Sequence, residues 1–286
     1  MRKNILYFIC LFIILIYVYI EYIVISYKDI KKRYYKLRSK KYYACISILE
    51  HSIEKCFLLN YKYLDLIDDT EKSKNMFLKS KISLKTNFEN KTKEEILKKL
   101  TKLCSYAKEH NIFIWLSAVY ETTLDDEYYY YNEISKNFNN IGITLSCSHS
   151  SISKKIDKIL QNNGTIRLVK GLYKGDISND FKINQLYLEN AKKLCNSNNY
   201  QCLATHDFNI LNKLNLNKNK NLELSFYFNN LNYVEYELKK NNICVENISF
   251  YIAYGNKIYS LFDKKMKLPY YHKKKILFNP FHKLLY

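Results

Sequence analysis

Glycine and proline are nearly missing from this 286-residue chain, at 5 and 2 residues. With so few glycines, no G-x-G-x-x-G follows the first apolar run, which argues against a dinucleotide-binding sheet. With so few prolines there is no Pro/Gly linker to divide the chain, and no internal repeat is visible. Cysteine is present at 8 residues, yet no pair has C-x-x-C spacing and no histidine completes a zinc pattern. Scattered cysteines in a chain this long are expected to be reduced and buried, in a reducing compartment and with no structural metal. Negative charge is also short, with 27 Asp and Glu against 46 Lys and Arg, a net charge of +19. That excess admits three readings: nucleic-acid binding, attraction to an anionic membrane, or drift to lysine in a biased composition. The lysines are scattered, and neither a zinc finger nor an aromatic RNA-binding strand accompanies them. Nucleic acid is therefore not the expected partner.

Apolar residues make up 48% of the chain and charged ones 26%, a balance that builds a core rather than a disordered segment. Residues 4–27, "NILYFICLFIILIYVYIEYIVISY", are almost wholly apolar, with Glu21 the one charge. They are long enough to span about 30 Å of hydrocarbon as a transmembrane helix; a buried helix is the alternative. A secretory signal would have a shorter apolar core and a small-residue cleavage site. The flank that follows, "KDIKKRYYKLRSKKYY", is far more basic than the "MRKN" before the run. The positive-inside rule then keeps the rest of the chain on the cytoplasmic or mitochondrial-matrix side, where this flank also suits anionic headgroups. These features divide the chain into a membrane anchor at 1–27, a helical, basic juxtamembrane segment at 28–80, and a domain at 81–286.

From about residue 80, short apolar runs alternate with longer amphipathic stretches. The runs are 81–87, 112–119, 141–147, 165–171, 200–206, 222–228 and 248–255; helix-like stretches include 91–110, 150–162, 180–197 and 230–242. Strand then helix, repeated, predicts parallel strands with crossover helices. Seven strands at this spacing suit a (β/α)8 TIM-like barrel with one strand still to be found, and a doubly wound open sheet is the runner-up. A barrel carries its chemistry at the carboxyl ends of its strands. Those ends hold Lys85, Ser117, Ser146, Arg167, Lys170, Thr205, His206, Ser225, Tyr251 and Tyr254. Two cations on one strand, with Thr-His on the next, point to an anionic ligand.

Four stretches carry a family resemblance. "RLVKGLY" (167–173) resembles the R-L-V-K-G-A-Y of proline dehydrogenases, and "LATHD" (203–207) resembles their A-T-H-N/D. "ISLKTN" (82–87) is similar to their first strand, and "YIAYGNKIYSLFDKKMKLP" (251–269) to their last segment. The order and spacing agree from about residue 80 to 270. The resemblance implies a distorted barrel that binds FAD, oxidises L-proline to Δ1-pyrroline-5-carboxylate and passes electrons to a quinone. It places Arg167, Val169, Lys170, Gly171, Thr205, His206 and Ser146 at the cofactor, Gly171 by letting the backbone approach a flat ring system. It assigns Lys85 and Tyr251 to catalysis, and Lys264, Lys265 and Leu172 to the substrate. His149 and His51 match nothing in the family.

The departures fall on the substrate side. The acidic residue ending the family's second strand corresponds to Ser117. Its Arg-Arg clamp is Lys264 and Lys265, which keep the charge and lose the planar fork. The small residue after the glycine is Leu172, which crowds the pocket, and two family glutamines are Ser146 and Ser225. Two expectations follow. One is a divergent flavin-dependent dehydrogenase of an imino or amino acid; the other is a degenerate, membrane-anchored barrel that binds or scaffolds without turnover.

Overall fold

The computed structural model describes residues 27–48, 81–84, 91–118, 124–171, 175–214, 216 and 220–254. Their elements run in chain order as α1 (Tyr27–Ser39), β1 (Tyr43–Ile48), β2 (Lys81–Leu84), α2 (Lys93–Glu109), β3 (Phe113–Ala118), α3 (Leu124–Ser135) and β4 (Ile141–Ser146). There follow α4 (Ile152–Gln161), β5 (Ile166–Val169), α5 (Asp180–Cys195), β6 (Gln201–Ala204), α6 (Phe208–Leu211), β7 (Leu222–Tyr227), α7 (Leu231–Lys240) and β8 (Asn247–Tyr254). A 3-10 turn, Phe228–Asn230, joins β7 to α7. The eight strands are all parallel and close into a barrel in the order β1 to β8, with β8 pairing back onto β1 from Tyr43↔Ser249 to Ile48↔Tyr254.

The barrel expected from the alternating runs is therefore present, and its seven expected strands all form. The missing strand is β1, which lies inside the stretch read from sequence as helical, 28–80. Its residues "YACISI" follow α1 after a three-residue turn and carry no flanking glycine or proline, so nothing local marks the change. The transmembrane expectation falls on residues outside the description, apart from Tyr27. Among the described residues no helix is long and apolar enough to cross a membrane.

Capping starts the helices. Thr92 and Glu95 exchange side-chain and backbone hydrogen bonds in a capping box ahead of α2, and Asn179 Oδ1 accepts from Lys182 N ahead of α5. Their ends show how the chain manages without glycine. Asn111, Asn163 and Asn242 take φ of 56°, 55° and 52° just past α2, α4 and α7, the left-handed position that asparagine tolerates best after glycine.

Alternation along each strand sorts two cores. Outward residues such as Leu116, Ile143, Leu168, Leu203, Leu224 and Phe250 pack under the helices. Inward residues form a separate aromatic floor of Phe113, Trp115 and Tyr200 with Cys45 and Cys202. Gly142 makes that floor possible: a Cβ there would stand 2.4 Å from the Trp115 ring.

Candidate functional site

Beside the aromatic floor the lumen is polar. Fully buried Lys81 and Glu223 pair across the barrel at 2.6 Å. Tyr200 Oη and Ser249 Oγ each donate to Glu223 at 2.7 Å, and Cys202 Sγ lies 3.6 Å from it. Lys81 Nζ also lies over the Tyr43 ring at 4.8 Å. Burial, followed by the neighbouring Glu223 charge, pushes the Tyr200 hydroxyl and the Cys202 thiol well above their ordinary pKa values.

Arg167 stands at the next level on β5, 5% exposed. Its Nε donates to Thr144 Oγ1 at 2.9 Å, Nη1 to Cys45 Sγ at 3.3 Å and Nη2 to Ser83 Oγ at 2.8 Å. Its guanidinium lies 5.2 Å from the Trp115 ring centre and 5.9 Å from that of Tyr251. Burial opposes its charge, and the facing Cys45, Cys202 and Tyr251 more than offset it, so its pKa is raised. Among the described residues these hydrogen-bond partners are all neutral. Further hydroxyl pairs stand in the lumen: Ser83 Oγ meets Ser117 Oγ at 2.8 Å, Ser225 Oγ meets Ser249 Oγ at 3.0 Å, and Ser146 Oγ meets Ser148 Oγ at 2.9 Å.

The rim at the carboxyl ends of β5 to β8 holds the remaining described candidates. Lys170 Nζ pairs with Asp207 Oδ2 at 2.5 Å, and Asp207 N donates to Thr205 Oγ1 at 3.1 Å. His206 Nε2 accepts from Tyr227 N at 3.1 Å, which leaves the proton of a neutral ring on Nδ1. The His206 ring stacks on Tyr227 at 5.7 Å, and Tyr227 meets Tyr251 edge-on at 5.5 Å. Val169 ends β5 beside Ala204 of β6.

Strands β4 to β8 thus bring Ser146, Arg167, Val169, Lys170, Thr205, His206 and Tyr251 to one end of one barrel. The two cations of "RLVKG" point different ways: Arg167 enters the lumen, while Lys170 turns to Asp207 on the next loop. On its α5 side Gly171 lies close to Ile183, whose Cγ2 would stand 3.0 Å from a Cβ there. Lys85, Leu172, Lys264 and Lys265 lie outside the described residues.

A strap crosses the rim between β4 and β5. Ile177 N donates to Ser148 O at 2.9 Å, and Asp176 accepts from both Ser150 N, at 2.9 Å, and Ser150 Oγ. Those two hydrogen bonds hold the Asp176 carboxyl below its ordinary pKa. Sequence reading missed the strap, as it missed Lys81, Glu223, Cys45 and Cys202. The inward parity of Glu223 with Ser225 would have found Glu223 on the assigned β7.

An anionic ligand fits this mouth on one observation: Arg167 is a buried cation whose hydrogen-bond partners among the described residues are hydroxyls and a thiol, the arrangement that attracts negative charge. No group of three metal-ligating side chains is found among the described residues.

No family model matches the sequence, and no curated protein sequence matches it. The fold is similar to that of proline utilization A (PutA). PutA from Bdellovibrio bacteriovorus, inactivated by N-propargylglycine, superposes with a TM-score of 0.65 at 17% identity, over 84% of this chain and 31% of that one. Two mutants of PutA from Bradyrhizobium japonicum superpose with TM-scores of 0.65 and 0.67, at 16% and 14% identity. They cover 79% and 78% of this chain and 28% of their own. The chain thus spans less than a third of the length of these structures, and at such identities the likeness is one of fold.

Proposed function

We propose that this barrel is a divergent flavin-dependent oxidoreductase of the proline dehydrogenase type, acting on L-proline or a related imino or amino acid. Two independent lines support the reading. The motifs "RLVKG" and "ATHD" resemble that family in sequence, and the fold is similar to PutA. The observation that carries it is Arg167, charged and buried with only neutral partners at the mouth where those motifs meet.

Under this reading Arg167, Val169, Lys170, Thr205, His206 and Ser146 would hold FAD, which supplies a two-electron acceptor when bound. The chain's own work is positioning. Arg167 is fixed from three sides and offers charge to an electron-rich ring without reorganising. The Tyr251 ring lies beside it, and Tyr227 meets Tyr251 edge-on. Thr205 and Asp207 keep Lys170 at the rim, and the His206 ring is held with its Nδ1–H as donor. Lys85, Lys264 and Lys265 are proposed to bind the substrate carboxylate, and a quinone is the proposed electron acceptor.

A second reading rests on Ser117. Where the family has a carboxylate, its hydroxyl is engaged with Ser83, so this position offers no acid; a barrel that binds without turnover follows.

One experiment separates the two. The full chain, purified in detergent and supplied with FAD, is followed by absorbance before and after anaerobic addition of L-proline. Bleaching of a bound flavin spectrum is expected. A flavin spectrum that proline leaves unchanged supports binding without proline turnover, and a folded chain that takes up no flavin overturns the proposal.

A further inference from the structure

Two buried charges of the lumen are each continued toward the mouth by a pair of serine hydroxyls, and chemistry fixes the proton direction in each pair. An arginine only donates, so Ser83 Oγ accepts from Arg167 Nη2 at 2.8 Å. The other partner of Ser83 Oγ among the described residues is Ser117 Oγ, at 2.8 Å, and a buried hydroxyl turns its proton to the acceptor at hand. Ser83 therefore donates to Ser117, whose own proton has no partner among the described residues.

The second pair runs the other way. A carboxylate only accepts, so the Ser249 proton goes to Glu223 Oε1 at 2.7 Å. Ser249 Oγ also meets Ser225 Oγ at 3.0 Å, and with its own proton committed it accepts there. Ser225 therefore donates inward, and its remaining lone pair faces no donor among the described residues. The outer hydroxyl of each pair is the more open one: Ser117 is 6% exposed and Ser225 5%, against 1% for Ser83 and 0% for Ser249. Ser117 lies on β3 and Ser225 on β7, four strands apart in the closed ring, so they stand on opposite walls. Hydrogen bonds in such chains polarise one another. The charge of Arg167 thus ends in an O–H donor on one wall, and that of Glu223 in an oxygen acceptor on the other. Both outer serines depart from the proline dehydrogenase pattern, which has an acid and a glutamine there. At residue 117 the sign is reversed, because a carboxylate only accepts.

We propose that this polarity fixes how a small zwitterion lies in the mouth: its carboxylate accepts from Ser117 on β3, and its N–H donates to Ser225 on β7. Ser117 and Ser225 are the residues that select the ligand's orientation. Ser83 and Ser249 are positioning residues, which set the proton directions without touching the ligand. An imino or amino acid is a compact ligand that carries both an anionic acceptor and an N–H donor; this ligand class rests on the proline-type reading of the mouth.

The test titrates three ligands calorimetrically into the full chain, purified in detergent, supplied with FAD and kept reduced without oxygen so that nothing turns over. L-Proline carries both ends, cyclopentanecarboxylate only the carboxylate, and pyrrolidine only the N–H. Ser117→Ala is expected to weaken proline and cyclopentanecarboxylate about tenfold, the loss of one charge-assisted hydrogen bond, and to leave pyrrolidine unchanged. Ser225→Ala is expected to weaken proline and pyrrolidine by a similar factor and to leave cyclopentanecarboxylate unchanged. Ser249→Ala should repeat the Ser225→Ala pattern, because Ser225 is then free to turn its proton toward the ligand's N–H; a merely structural loss would weaken all three ligands alike. Equal weakening of cyclopentanecarboxylate and pyrrolidine in any variant, or no weakening, overturns the polarity, and proline binding by the parent chain then stands without it. A parent chain that takes up flavin and binds none of the three overturns the orientation alone. A parent chain that shows the split without taking up flavin keeps the orientation and overturns the flavin reading.

Discussion

At the scale of single residues, the lumen is governed by two cations with opposite arrangements. Lys81 has a direct carboxylate partner, and Arg167 has only neutral hydrogen-bond acceptors among the described residues. Removing the partner of a fully buried charge is costly because the charge left behind keeps its desolvation penalty. Glu223→Gln is therefore expected to destabilise the fold by about 3–5 kcal/mol, read as a lowered urea midpoint. Pairing it with Lys81→Met should recover most of the loss; a double variant as unstable as the single one would mean that Glu223 acts through Tyr200 and Ser249 instead. Arg167→Lys keeps the charge and loses the three-way fork to Thr144, Cys45 and Ser83. Each hydrogen bond lost from a charged group costs about 1.5–3 kcal/mol, so flavin uptake is expected to fall at least tenfold while far-UV circular dichroism is unchanged. Uptake equal to that of the parent chain would remove Arg167 from the cofactor site. Arg167 was legible in sequence because it lies in a contiguous motif; Glu223 was legible only as an inward position of β7, and its partnership with Lys81 was not, because it joins β2 to β7 and emerges only when the barrel closes.

At the scale of elements, the strap between the β4 and β5 loops is set by backbone proximity as much as by charge. A Cβ on Gly175 would stand 2.1 Å from Ser148 O, so this glycine is required by the close approach, whatever its conformation. Asp176 then receives two hydrogen bonds from Ser150, and its pKa is depressed in the folded chain. A depressed carboxyl contributes stability above its unfolded pKa and loses it as the pH falls through the folded value. The strap is thus intact at neutral pH and is released only on acidification below the ordinary carboxylate range. Asp176→Asn is expected to speed amide exchange at Ser150 at neutral pH and to leave exchange in the β strands unchanged. In the parent chain, the same acceleration should come only in acid. Unchanged exchange at Ser150 in the variant would show that Ile177 N–Ser148 O alone holds the loops. Sequence reading placed the strand and helix on either side of this strap within a few residues, because their apolar periods are clear. It could not place the strap, whose bonds join residues 26 apart through side chains that carry no periodic signal.

For the whole molecule, the consequence of β1 is closure. The sequence divides at residue 81 by pattern, with clean strand–helix alternation after it and a basic, lysine-rich stretch before it. The structure places the boundary earlier: β1 pairs with β8 along its whole length and with β2 through Cys45↔Lys81 to Ser47↔Ser83. It also brings Cys45 to Arg167 and Tyr43 to Lys81. Without β1, strands β2 and β8 would each present an open edge, and the lumen with its buried ion pair would open to water. α1 closes the outside of the same seam with Tyr34 and Leu37, which are fully buried. A fragment beginning at residue 81 is therefore expected to lack a cooperative urea transition and to show solvent-exposed Trp115 emission. A fragment beginning at residue 27 should unfold in one cooperative step, with Trp115 emission blue-shifted until the midpoint. Cooperative unfolding of the shorter fragment with buried Trp115 would mean that seven strands suffice, and that β1 lines a barrel it does not hold together.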